Sequence, residues 1–156
     1  MKRTLASATL SLIICLPGLA EAGPKCNAGM LKGQYVFTAS GFTRAPASGP
    51  GTPWVPKAII EVLQFNGDGS LSGPAVTLAN PFGDSGAIIQ PVGSPGTYSF
   101  DSEEAILGAT CSGTVQFSDP PYVAFRIYVA PRGDTVWMIQ SNPANNVFQG
   151  SARRVW

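Results

Sequence analysis

Between Lys57 and Leu78 the chain reads KAIIEVLQF, then NGDG, then SLSGPAVTL. Two segments rich in β-branched and apolar residues are thus joined by Asn66-Gly67-Asp68-Gly69, residues that tolerate the positive φ of a tight hairpin turn. The same letters resemble a calcium loop, since Asn66, Asp68 and Ser70 set oxygen side chains at alternate positions. Calcium, however, requires Gly at the sixth position of such a loop and a bidentate acid at the twelfth. Those positions hold Leu71 and Thr77, and no helices flank the stretch. A hairpin is the better reading, and it sets two neighbouring strands antiparallel.

Most of the remaining chain repeats this grammar. GQYVFTASGF alternates Tyr35, Phe37 and Ala39 with Val36, Thr38 and Ser40, as a half-buried strand does. KAIIEVLQF is apolar on both faces, Ile60 and Val62 opposing Ile59, Leu63 and Phe65, so it predicts a central strand covered on both sides. GAIIQPV, GTYSF, CSGTVQF, YVAFRIYVA, DTVWMIQS and NVFQGSARRVW follow. Turns are expected between them at Ser94-Pro95-Gly96 and Pro131-Arg132-Gly133-Asp134. With 18 Gly and 14 Pro the chain cannot build several helices, and only Ser102–Leu107 could form a helical turn. The fold class is therefore all-β. About eight strands joined by short turns favour an antiparallel up-and-down barrel, because closure removes exposed edges. One connection is long: TRAPASGPGTPWVP, Thr43 to Pro56, carries Trp54 and is too rich in Pro and Gly to be strand or helix.

The first 22 residues have the three-part build of a secretory signal: Lys2 and Arg3, an apolar run from Leu5 to Leu16, and a small-residue site ending at Ala22. The run is shorter than the roughly 20 apolar residues that cross a bilayer. Lipid modification at Cys15 is disfavoured by bulky Ile14 before it. Residues 23–156 then form a single β-barrel domain, secreted or periplasmic. Lys2, Arg3 and Glu21 leave with the signal, so the 10 Lys and Arg and 9 Asp and Glu become a balanced set. Without a basic excess, nucleic acid is not an expected partner. Arg153 and Arg154 read as a solvated strand end. Cys26 and Cys111 remain, an even pair in an oxidising compartment, and a disulfide is the straightforward reading. With no His in the chain, two thiols cannot complete a zinc site, and neither a metal nor a cofactor is expected.

Cys26 with LKGQYVFTASGF, LQFNGDGSLSG, GTYSF, CSGTVQF and FQGSARR together resemble a family of small secreted bacterial proteins of largely unknown function. The resemblance runs along nearly the whole mature chain and rests on turn glycines and strand patterns. It implies a barrel of the allene oxide cyclase-like or calycin-like type, and it pairs the two cysteines. It brings no catalytic residue set. SEEAILGA, before Cys111, departs from the shorter connection expected there.

The absence of His removes the usual general base and the Ser-His-Asp and Cys-His nucleophiles, so no catalytic residue is assignable. Two charged residues lie inside apolar strands: Glu61 in AIIEVLQF and Arg126 in YVAFRIYV. Each must face solvent, find a partner or line a polar pocket. Arg126 shares its face with Tyr122, Ala124 and Tyr128, opposite Val123, Phe125, Ile127 and Val129, and is solvated if the apolar face is the interior. Glu61, Arg126, Tyr128 and Trp54 are the candidate ligand-binding residues. Three functions stay open: a barrel holding a small apolar ligand, a cyclase or isomerase using Glu61 or Tyr128, and a surface protein acting through the 43–56 loop. An outer-membrane barrel is not expected, because Arg154 shares a face with Phe148, Gly150, Ala152 and Trp156 where lipid would lie.

Overall fold

The structure is a computed structural model that describes residues 25–44, 51, 53–79, 87–90, 94–102, 110–119, 122–142 and 144–155, with 75–79 and 87–90 described by backbone alone. The proposed signal segment, most of Ser102–Leu107 and half of the Thr43–Pro56 connection (45–50 and 52) lie outside the described residues. A 3-10 turn, Ala28–Met30, precedes nine strands: β1 Lys32–Thr43, β2 Val55–Asn66, β3 Ser70–Ala79, β4 Ala87–Gln90, β5 Ser94–Phe100, β6 Cys111–Phe117, β7 Ala124–Val129, β8 Thr135–Asn142 and β9 Asn146–Arg154. All neighbours are antiparallel, and β1 pairs with both β2 and β9, so eight strands close into a barrel. The ninth, β4, is an annex. β3 pairs with β5 through Ser70–Gly73 and with β4 through Val76–Ala79.

The hairpin at 66–70 forms as its composition requires. Gly67 and Gly69 take φ of 83° and 96°, and the oxygens that resembled calcium ligands bond one another. Asp68 Oδ1 accepts from the Ser70 amide at 2.8 Å and the Ser70 hydroxyl at 2.6 Å, and Asn66 Nδ2 donates to Ser70 Oγ. The donated hydrogen bonds hold the Asp68 carboxyl below its usual range.

Three local expectations are corrected. Ser94-Pro95-Gly96 is the start of β5, Pro95 lying opposite Ser72. A proline is tolerated at that strand end because the missing N–H costs no ladder bond there. Strand pairing also invades the ends of the long connection, with Thr43 opposite Val55 and Phe42 opposite Pro56. Finally, β2 is covered on one face alone: Ile60 is 57% exposed while Ile59, Leu63 and Phe65 are buried.

The two ends of the barrel differ. At one end the Cys26–Cys111 disulfide ties the 3-10 turn across the opening, with Leu31 fully buried beneath it. Tyr98 OH donates to the Ala28 and Leu31 carbonyls at 2.8 and 3.0 Å. Tyr35 OH donates to the Gly133 carbonyl, and Arg154 donates from Nη2 to Tyr35 OH at 2.7 Å and to the Met30 carbonyl at 2.9 Å. The face of Phe148 and Ala152, which an outer-membrane barrel would turn to lipid, points inward, and Arg154 caps this closed end. Inside, the edge-on ring pairs Tyr35–Phe65 and Phe65–Tyr98, at 5.0 and 5.2 Å, fill the closed half. Gly133 is held at φ 64°, and a Cβ there would sit 3.0 Å from the Met30 carbonyl carbon. Gly133→Ala is expected to cost about 1–3 kcal/mol, measured as a fall in the urea midpoint with unchanged slope.

Candidate functional site

The half of the barrel away from the disulfide carries the chemistry. Alternation along β2 puts Glu61 on the same inward face as the buried Ile59, Leu63 and Phe65. Opposite it on β1 stands Phe37, whose ring meets Phe125 at 5.5 Å, and Phe125 meets Phe148 at 5.7 Å. Gly73 on β3 supplies the space for the carboxyl: a Cβ built there would lie 2.5 Å from Glu61 Oε1 and 3.6 Å from a Phe117 ring carbon. Among the described residues neither a hydrogen-bond donor nor a cation reaches the Glu61 carboxylate. Burial alone pushes its pKa up from 4.5 to about 7.

Two further polar groups face the same half. Lys57, four residues before Glu61 and on the same face, places Nζ 5.4 Å from the centre of the Phe148 ring. Burial draws its pKa below the usual lysine range. Gln140 is 8% exposed and lies opposite Phe125. Its Nε2 donates to the Asn142 carbonyl at 2.9 Å, while its Oε1 is buried without a partner among the described residues. Buried carbonyl oxygens are normally satisfied. This half of the interior is thus a packed cup of buried rings, Phe37, Phe117, Phe125 and Phe148, with a carboxyl, an ammonium and an amide oxygen that has no partner among the described residues.

The four residues singled out by sequence are not brought together. Glu61 is inside. Arg126 is on the outer wall, bonded through Nη1 to Asp101 Oδ1 at 2.9 Å and through Nη2 to Oδ2, while Ser112 Oγ donates to the same carboxylate at 2.6 Å. Those hydrogen bonds, the Arg126 pair foremost, hold Asp101 below its usual range. Arg126 therefore has a surface partner and no access to the cup. Tyr128 is also outside, on the wall of a shallow hollow of ≈ 840 Å³. Trp54 stands at the rim of the end away from the disulfide, its ring 5.0 Å from the Arg44 guanidinium. Sequence reasoning missed Lys57 and Gln140. Lys57 is in step with Ile59 and Gln140 with Val136 and Met138, a parity that points inward only once the barrel shows which face is interior.

Among the described residues no group of three or more His, Cys, Asp or Glu could hold a metal ion, and no helix is long and apolar enough to cross a membrane. Compared with models of protein families, with curated proteins and with solved structures, the chain matches none of them.

Proposed function

We propose that the protein is a secreted or periplasmic, calycin-like binding barrel whose half away from the disulfide holds a small, mainly apolar ligand that carries a hydrogen-bond donor. The observation that carries this reading is Gln140 Oε1, buried without a partner among the described residues, together with the inward, half-buried Glu61 carboxyl, which no donor among them reaches. A buried acceptor without a donor costs free energy that a bound donor restores. The aromatic rings match the apolar body of such a ligand. The disulfide fits an oxidising compartment. A bilayer-spanning role is disfavoured by the polar and charged residues on the outer wall, among them Thr38, Gln149, Ser151 and Arg126.

The binding test uses N-phenyl-1-naphthylamine, a neutral apolar probe with one N–H donor. Saturable one-to-one fluorescence enhancement is expected, weakened roughly tenfold by Gln140→Met and unchanged by Arg126→Ala on the outer wall. Unsaturable binding, or binding indifferent to Gln140→Met, contradicts the proposal.

A second reading has its own support. A carboxyl titrating near neutrality in an apolar cup is suited to moving a proton on a bound ligand, as a cyclase or isomerase of allene oxide cyclase-like fold would require. Turnover abolished by Glu61→Gln with binding retained would separate this reading from binding alone.

A further inference from the structure

The outer wall carries a second feature, independent of the cup. Across five adjacent strands one row of outward residues runs Tyr128, Trp137, Ser151, Thr38, Ile60, each opposite the next. The following row runs Ile139, Gln149, Ser40, Ala58. Small side chains in the middle thus form a furrow, with large apolar ones standing on both banks. Gly150 lies between the two rows and lines the hollow with its backbone. The hollow of ≈ 840 Å³ is this furrow, and a second of ≈ 430 Å³ beside Phe42 and Val147 continues it.

Phe42, Ile60, Tyr128, Trp137, Ile139 and Val147 are between 45% and 57% exposed. A soluble surface does not ordinarily gather six such side chains on one face. We infer that this face is the contact between two copies of the chain, related by a two-fold axis, with Trp137 of each copy seated in the furrow of the other. Two features favour a second copy as the occupant. No charged side chain lines either hollow, so like charges do not oppose each other when the face meets itself. The area is also sufficient: six large side chains about half exposed offer roughly 600 Å² of apolar surface. With the intervening Ser, Thr and Gln side chains this approaches the roughly 800 Å² per partner of a stable interface.

Sedimentation equilibrium of the signal-free chain tests the assignment. A dimer is expected at micromolar concentration, and Trp137→Lys and, separately, Ile60→Lys should each weaken it roughly 100-fold or more while the thermal midpoint at high dilution is retained. Both side chains point away from the core, and the two variants lie on different strands, so a folding defect in one leaves the other decisive. A monomer at all concentrations, association unaffected by both folded variants, or a monomer that instead floats with neutral phosphatidylcholine vesicles overturns the inference.

Discussion

Replacing Cys26 and Cys111 together by Ala is expected to lower the unfolding free energy by roughly 4 kcal/mol and the thermal midpoint by about 15 °C. The two cysteines are 85 residues apart in sequence, and cross-linking them removes the closure entropy of a long loop from the unfolded chain. The bond also fastens the Ala28–Met30 turn that, with Leu31, closes one end of the barrel. Calorimetry of the double variant against the oxidised parent makes the measurement, the double replacement avoiding a lone thiol. A change of only a few degrees would show that the N-terminal plug holds itself in place without the disulfide.

Glu61→Gln is expected to act in the opposite direction, and only above acid pH. In the folded chain Glu61 binds its proton up to about pH 7, whereas in the unfolded chain it releases it near 4.5. Below 4.5 both states are protonated and the burial penalty is absent. As pH rises from 4.5 to 7 the unfolded state loses a proton that the folded state keeps, so stability falls. Above 7 the penalty is fully present, and a shift of this size corresponds to roughly 3 kcal/mol. The glutamine variant carries no such penalty. It should match the parent at pH 4 and exceed it by up to about 10 °C in midpoint at pH 8, as a pair of melting curves would show. Equal midpoints at pH 8 would mean that water or an unrecognised partner already stabilises the carboxylate.

Glu61, on which the proposed binding site rests, was only half legible in the sequence. The turn at Gly67 and Gly69 was readable because positive φ narrows the choice of residue. The alternation of Phe125, Ile127 and Val129 was readable because one face there is wholly apolar, which placed Arg126 outside. β2 lacked that contrast. Ile60 and Val62 are as apolar as Ile59 and Leu63, so nothing local said which set was interior, and Glu61 could be assigned to either. The reason became visible only with the barrel closed: Ile60 is apolar because it banks the outer furrow. The cap formed by Tyr35, Gly133 and Arg154 was equally hidden, since Tyr35 and Arg154 are 119 residues apart and no short-range pattern announces their meeting. Gln140 was hidden differently: a single amide on a short apolar strand reads as a strand end until its oxygen is seen buried and unpaired.

Glu61 sits inside the barrel, in the half away from the disulfide, without a partner among the described residues. A pH titration followed by NMR of the side-chain carboxyl carbon, assigned through the loss of its signal in Glu61→Gln, tests it directly. A midpoint near 7 in the folded protein is the result that this placement requires. A midpoint in the ordinary carboxylate range, near 4.5, would put Glu61 in water and remove the basis for the binding site.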